Sequence, residues 1–465
     1  MFYGREQELK KMNSLYNAGE HQLVVVYGRR RVGKTTLINE FCKGKRTLFF
    51  PALESTAEKN LKVLSRTINR SVYPDSSVNS EYASFDDAFT KISEAAEKER
   101  FVFVIDEFPY LAAADGSVSS VLQHLIDHRF SKTDIFMILC GSSMSFMENQ
   151  VLGHNSPLYG RRTAQFRIEP LDYLRAAEAH PHLSIESNAI IYGITGGIPH
   201  YINKLTIKND GDIGNSIVND ILERTSYLFE EPANLLKQEL REPATYNAII
   251  SAIAGGASRL NDIANKTYLN YAVCSKYLSV LISLDIAGKK SPVCDNTKNK
   301  TLYYLKDNLF NFWYSFVPDN ISQIMAGNAE LVYKDEVEPK ISQYMGLVFE
   351  DICKQYLTNY AKDLPFRIKG IGDWWGGNPE TKEPEEIDLI ALSGKEAIFG
   401  ECKWRSDPVD LPILKELKRK AELFPDLKKK YYYLFSRSGF TSAVIKEAAE
   451  DGSVRLITLD EIYGR

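Results

Sequence analysis

The segment Val24-Val25-Val26-Tyr27-Gly28-Arg29-Arg30-Arg31-Val32-Gly33-Lys34-Thr35-Thr36 has the residue types and spacing to hold a triphosphate. Its β-branched start reads as a buried strand, and Leu37-Ile38-Asn39-Glu40-Phe41 after it reads as a helix. Between them lies G-x-x-x-x-G-K-T, in the strand-to-helix setting that a phosphate loop requires. Glycines at 28 and 33 let the backbone N–H groups of residues 28–36 curl around an anion. The helix N-terminus adds partial positive charge, and Lys34 reaches the β- and γ-phosphates. Thr35 offers its hydroxyl to Mg²⁺. A plain glycine turn capping a helix is the alternative.

A second chemistry-bearing stretch is Phe101-Val102-Phe103-Val104-Ile105-Asp106-Glu107-Phe108. A continuous apolar run of this length fits a strand buried on both faces of a parallel sheet. It ends in two carboxylates at the carboxyl edge, where an open α/β sheet places its ligand. Asp106 suits the Mg²⁺ shell, and Glu107 suits orienting and deprotonating the attacking water. Otherwise the two acids cap a helix. Ile135–Cys140 is another strand, running into Gly141-Ser142-Ser143, which either senses the γ-phosphate or makes a turn and cap. Arg161, in Leu158-Tyr159-Gly160-Arg161-Arg162, either reaches the γ-phosphate, in cis or across a homo-oligomer, or makes a surface salt bridge. No N-K-x-D segment is present, which favours ATP over GTP. His124 and His128 have a metal-like spacing but no third ligand, so they read as ordinary helix residues.

A third set of groups lies far downstream. Glu386-Ile387-Asp388-Leu389-Ile390-Ala391-Leu392 and Ala397-Ile398-Phe399-Gly400-Glu401-Cys402-Lys403-Trp404 flank a Ser-Gly-Lys turn, so they read as a hairpin. Side-chain alternation puts Glu401 and Lys403 on one face and Cys402 on the other. Asp388 on the partner strand is then placed to share Mg²⁺ or Mn²⁺ with Glu401, and Glu350 from a preceding helix completes the acidic set. Lys403 would position or activate a water attacking a phosphodiester. The run Lys415, Lys418, Arg419, Lys420 and Lys428–Lys430 either contacts phosphates or is a solvated helix face.

The elements that carry these groups need several domains, since 465 residues exceed one hydrophobic core. The net charge of −4 supplies no global field for nucleic acid, so any such contact needs a local basic patch. Six scattered cysteines without a C-x-x-C pair suggest reduced thiols and a cytoplasmic protein. No apolar run approaches the roughly 18 residues of a membrane span, and the N-terminus lacks a signal peptide's apolar core. Residues 2–16 read as a turn and amphipathic helix, Thr47–Phe50 and Phe166–Ile168 as strands, and 57–70 and 84–99 as helices. Residues 170–235 read as helical, with a bend at Gly196-Gly197-Ile198-Pro199. Helices at 244–254, 260–265 and 272–284, then strands 286–290 and 301–305 around a loop with Lys298 and Lys300, read as a winged helix. Its third helix, with Asn270, Ser275 and Lys276, either enters a major groove or belongs to an interdomain module. The aromatic helical stretch 307–350 reads as interdomain core.

Gly4-Arg5-Glu6, Gly28–Thr35, Ile105–Phe108, Gly141–Ser143, Leu158–Arg161 and Gly196–Pro199, in this order, resemble the archaeal-type ATPases, a STAND-like branch related to AAA+ proteins. The resemblance implies that Arg5 lies against the adenine and that a helical lid switches with the nucleotide. The C-terminal order of elements, with E-I-D-L and E-C-K, resembles the restriction-endonuclease-like core. Together these imply an α/β protein in four parts: a P-loop ATPase core (1–168), a helical lid (169–238), a winged helix (239–318) and a nuclease-like domain (319–465). The expected activity is ATP hydrolysis governing Mg²⁺-dependent action on nucleic acid, expected to be DNA. The alternative is a signalling or scaffold ATPase whose C-terminal domain binds without cleaving.

Overall fold

Strands with no polar face dominate the first 170 residues. In the computed structural model, which describes residues 2–72, 81–294, 300–379 and 381–464, β1 (Gln22–Tyr27) is buried at every position. It is joined by β2 (Thr47–Pro51), β3 (Val102–Asp106), β4 (Phe136–Gly141) and β5 (Ala164–Arg167). All five pair in parallel in the order β2-β3-β4-β1-β5. Strands this apolar require cover on both faces, and both are covered. On one face Met12 of the helix Glu6–Asn17 joins Ile38 and Phe41 of the helix Lys34–Cys42 against Val24, Val26 and Val104. On the other, helices Ala57–Ser71, Phe85–Ala96 and Val118–His128 lay Leu64, Phe89, Ile92 and Leu122 over Leu23, Val25 and Phe103.

The strand order positions the chemistry. β4 lies between β1, which feeds the glycine loop, and β3, which ends in Asp106. The registers Tyr27↔Gly141 and Ile105↔Leu139 bring the carboxyl ends of all three strands to one edge.

The chain divides into two compact units, Met1–Pro170 with Ile198–His200, and Leu171–Gly197 with Tyr201–Arg465. Residues 170–235, expected to be helical, are broken into short pieces: Tyr173–Ala177, Ile185–Thr195, Pro199–Ile202, Ile213–Ser216 and a π-turn at Ile217–Leu222 before Tyr227–Glu239. The bend at Gly196 and Gly197 is present, both in the left-handed region. A Cβ on Gly197 would strike the carbonyl oxygen of Leu171, so only glycine fits there.

In the second unit, helices Pro243–Ala254, Leu260–Thr267 and Tyr271–Ser283 precede an antiparallel ribbon of β6 (Ala287–Lys290) and β7 (Leu302–Leu305). Ile249, Ile263, Cys274, Leu278 and Leu281 form its core with Phe310 and Tyr314 of the helix Asn308–Phe316. Lys298 lies outside the described residues. A second, mixed sheet follows, made of β8 (Gly370–Gly377), β9 (Pro384–Ser393), β10 (Glu396–Lys403), β11 (Lys429–Ser436) and β12 (Val454–Thr458) in the order β12-β11-β10-β9-β8. β8, β9 and β10 are antiparallel; β10, β11 and β12 are parallel, joined through helices Leu411–Ala421 and Ser442–Glu450. Among the described residues no helix is long and apolar enough to cross a membrane.

His21, just before β1, gives the first unit an acid sensitivity. Burial pushes its pKa down to about 4 from 6.5, and neither ring nitrogen has a hydrogen-bond partner. The folded form therefore holds the ring neutral, and as pH falls from 6.5 towards 4 the unfolded chain takes up a proton the folded chain refuses. Stability is complete above pH 6.5 and falls by up to about 3 kcal/mol by pH 4. His21→Gln is expected to shrink the drop in urea midpoint between pH 7 and about pH 4; an unchanged drop would remove His21 as its source.

Candidate functional site

The glycine loop closes on its own lysine. Lys34, buried at the first position of its helix, donates from Nζ to the carbonyl oxygens of Gly28 and Arg29, both at 2.9 Å. Burial pushes its pKa down, against the opposing pull of Cys140, Glu107 and Asp106. The curl needs unusual backbone: Arg31 and Gly33 have φ of 73° and 90°. At Gly28 a Cβ would run into the carbonyl oxygen of Ile168 just past β5. Val32 is fully buried, Arg29 is buried, and Arg30 Nη2 donates to the Tyr110 hydroxyl at 2.6 Å. Thr35 and Thr36 are exposed at the start of the helix.

The expected carboxylates stand beside this loop. Thr35 Oγ1 donates to Asp106 Oδ2 at 3.1 Å, so a hydroxyl and a carboxylate oxygen meet where a hard cation would bind. Glu107 adopts a left-handed conformation, φ 52°, and its N–H donates to Asp106 Oδ1 at 3.1 Å. Its own Oε2 accepts from the Ser142 N–H at 3.1 Å and the Ser142 hydroxyl at 2.9 Å. The Gly141–Ser143 segment is thus tied to Glu107. Gly141 is required there, because a Cβ would meet Pro109 and the Met147 sulfur within 3 Å.

Two arginines, Arg161 and Arg5, are engaged within the protein, Arg161 in the salt bridge that the sequence left open as its alternative. Arg161 makes a two-pronged salt bridge to Asp127, Nε to Oδ1 and Nη2 to Oδ2, both 2.7 Å. Its remaining nitrogen donates to the Pro157 carbonyl at 2.9 Å, so the structure holds it at the end of the helix Val118–His128 and does not bring it to the loop. Arg5 is buried, bonding Glu8 Oε1 at 3.1 Å, the Val32 carbonyl at 3.3 Å and the Glu169 carbonyl. It braces the loop through Val32 and the strand end through Glu169. What the sequence did not announce is that Ile198–His200 rejoins this unit: the His200 N–H donates to the Arg31 carbonyl at 3.4 Å, and Pro199 lies against Gly33.

In the second unit, alternation along β10 places Glu401 and Lys403 side by side, Nζ to Oε1 2.6 Å. Asp388 on β9 accepts from the Cys402 N–H at 2.9 Å and lies 3.7 Å from Lys403 Nζ. Glu350, on the helix Ile341–Asn359, is 3.9 Å from Lys354, which also contacts Asp373 on β8; Lys290 of β6 contacts the same Asp373. Burial, then the nearby Asp388 charge, push Glu350 up to about 8 and Glu401 upward. Burial works against the charge on Lys403, but Glu401 and Asp388 prevail and raise its pKa. Oxygen donors of this kind suit Mg²⁺ or Mn²⁺. As arranged, the carboxylates are turned onto lysines, and among the described residues no three carboxylate, thiol or imidazole groups form a metal cage. No step of cleavage follows from this arrangement.

Apart from Lys415, the basic run downstream is matched with oxygens of the protein. Lys418 pairs with Glu447 and Asp451, Arg419 with Glu385 and Glu416, Lys429 with Glu396 and Lys430 with Glu422. Lys420 donates to the Glu386 carbonyl and Lys428 to the Pro425 carbonyl. The His124 and His128 rings lie 4.5 Å apart along their helix, tilted by 56°.

Comparison with known proteins identifies an ATPase domain over the first unit. Residues 2–205 match the model of an ATPase domain predominantly from Archaea, and residues 313–420 match that of archaeal and bacterial proteins of unknown function. An uncharacterized protein of Methanocaldococcus jannaschii is 32% identical over 470 residues, covering 99% of this chain and 100% of its own. An uncharacterized ATP-binding protein of that archaeon is 44% identical over 46 residues, 10% of this chain and 78% of its own. Among solved structures, the Aeropyrum pernix Orc1 protein in complex with DNA is 12% identical over 70% of this chain and 95% of its own, with a TM-score of 0.36. A likeness that slight carries no argument.

Glu107 bonds Ser142 and not Lys34, so a water-orienting role for it is separable from binding through Lys34. Glu107→Gln is expected to leave nucleotide affinity within about threefold and to slow ATP turnover by roughly 10²-fold or more. Equal losses of binding and turnover, read by calorimetry and phosphate release, would move Glu107 out of that role.

Proposed function

The chain belongs to the family of predominantly archaeal-type ATPases, and on that premise we propose that ATP binding and hydrolysis at the glycine loop govern a nuclease-like C-terminal domain that acts on nucleic acid. The observation that carries the ATPase part is the convergence at one sheet edge of Lys34 on its two loop carbonyls, Asp106 on Thr35, and Glu107 on Ser142. Lys34 and the N–H groups of the loop would bind the triphosphate, with Gly28 and Gly33 permitting the close approach. Thr35 and Asp106 would hold Mg²⁺, which when bound neutralises charge on the phosphate oxygens. Glu107 would hold the attacking water, with Ser142 fixing its carboxylate. Arg5 would set the turn beside the adenine, and Arg161 would reach a phosphate only after leaving Asp127.

The second unit would comprise a lid (169–238), a winged helix (239–318) and the nuclease-like domain (319–465). Its mixed sheet, with Asp388, Glu401 and Lys403 on adjacent strands, supports that reading. Coupling rests on the path of the chain: Ile198–His200 packs with the loop's unit, while the residues on either side belong to the other. A change at the loop would pass through Gly196–Pro199. A second reading, a signalling or scaffold ATPase whose C-terminal domain binds without cutting, is favoured by the lysines that occupy the carboxylates.

Lys34→Ala is expected to abolish ATP hydrolysis and to change any cleavage by at least about tenfold; unchanged cleavage in that variant would remove the coupling. Asp388→Ala is expected to remove Mg²⁺-dependent cutting from a panel of duplex, branched and single-stranded substrates. A wild-type protein that cuts none of them is the scaffold.

A further inference from the structure

Residues 255–306 carry eight lysines and arginines against three aspartates, a net charge of +5 in a chain whose total is −4. Among the described residues Lys290 pairs with Asp373, Lys306 with Asp285, and Lys266 donates to the Gly255 carbonyl at 2.9 Å. Arg259, Lys276 and Lys289 are exposed and make no salt bridge among the described residues. The backbone brings Arg259 and Lys289 to positions beside β7, and Lys276 stands on the adjoining helix Tyr271–Ser283. Lys289 pairs in register with Tyr303, and the Tyr303 N–H donates to the carbonyl of Ser258, next to Arg259, at 2.7 Å. The contrast with residues 415–430 is direct, since nearly every cation of that run bonds an oxygen of the protein.

Beside these cations stand two aromatic side chains that the core does not use. Tyr268, in a left-handed turn, is 96% exposed, and Tyr271, at the start of the following helix, is 60% exposed. That helix, Tyr271–Ser283, buries Cys274, Leu278 and Leu281 and turns Tyr271, Ala272, Lys276 and Ser279 outward. Apart from Lys276 and Tyr271 this face is made of small residues, so it admits close approach to a groove about 12 Å wide. The ribbon is not equally free. Its end is fastened to β8 by Lys290 on Asp373 and by the Val293 N–H on the Asp373 carbonyl at 2.9 Å.

We propose that the outward face of the helix Tyr271–Ser283, with Arg259, Lys289 and the turn tyrosine Tyr268, is a docking surface for duplex DNA, and that the fastened end of the ribbon is not part of it. This deepens the reading that the protein acts on nucleic acid, and rests on it. The cations contact phosphates and release counterions, the helix enters the major groove, and Tyr268 and Tyr271 pack on the sugar–phosphate edge.

The test is fluorescence anisotropy of a labelled mixed-sequence duplex with the full-length protein, titrated across KCl concentrations. Wild type is expected to bind with an affinity that falls steeply with salt. The double variant Arg259→Glu, Lys276→Glu is expected to bind at least about tenfold more weakly and to lower the slope of log affinity against log salt by about 2. Tyr271→Ala is expected to weaken binding with the slope unchanged, and Lys415→Glu to change neither. All four substituted positions are exposed, and matching thermal melts confirm that the variants fold. If wild type binds duplex and the double variant binds equally well, the surface is misplaced while the nucleic-acid reading stands. Wild type that binds only RNA, or no duplex at all, overturns the proposal, and the absence of any nucleic-acid binding overturns the reading as well.

Discussion

A buried ammonium held by carbonyl dipoles, with no carboxylate bonded to it, is the constraint from which the first unit follows. Removing a cation from water costs several kcal/mol unless polar groups replace its hydration. For Lys34 the replacements are the carbonyls of Gly28 and Arg29, which reach it only because the loop doubles back over the start of its helix. That path needs left-handed backbone at Arg31 and Gly33, and a residue without a Cβ where Gly28 passes the Ile168 carbonyl. Position and identity of β5 therefore matter to the loop as much as β1 does. Asp106 and Glu107 make no bond to the lysine, each being engaged instead by a hydroxyl.

The second unit solves the same problem in the opposite way, by setting charge against charge. Lys403 stands between Glu401 and Asp388, and Lys354 between Asp373 and Glu350. With Glu350 protonated, as its elevated pKa allows near neutral pH, the remaining carboxylates of this cluster are matched by Lys290, Lys354 and Lys403. A balanced cluster needs no outside ion to be stable. Any cation or phosphate that enters must compete with lysines already in place.

Much of this was legible in the sequence, for specific reasons. β1, β3 and β4 could be read because they have no polar face, and the loop because only glycines at 28 and 33 allow its curl. The pairing of Glu401 with Lys403 followed from alternation along one strand. The strand order did not, since nothing local says that β4 inserts between β1 and β3. Arg161 found Asp127, 34 residues away, and Lys354 found Asp373 on another element; partners so separated leave no periodic trace. The segment 170–235 has helical composition throughout, but packing cut it into short helices and a π-turn. The Gly196–Pro199 bend was visible from its glycines and proline, whereas its return to the glycine loop was not.

That return bears on how a local change could travel. A loose linker would dissipate it, but this bend is closely fitted. Gly197 has no room for a Cβ beside Leu171, the Leu171 N–H donates to the Gly197 carbonyl at 2.8 Å, and Gly196 closes the preceding helix through its bond to the Tyr192 carbonyl. That helix is itself pinned: the Tyr344 hydroxyl donates to the Gly193 carbonyl at 2.8 Å, and a Cβ on Gly193 would collide with the Met345 sulfur. Tyr344 and Met345 lie on the same helix as Glu350, less than two turns before it. The helix that ends at Gly196 therefore meets the helix carrying Glu350 at Gly193, where the Tyr344, Met345 and Val348 side chains close on its backbone. Close-packed interiors leave little room to absorb displacement, and Gly193, Tyr344 and Met345 fit the bend's helix tightly against the helix that carries Glu350.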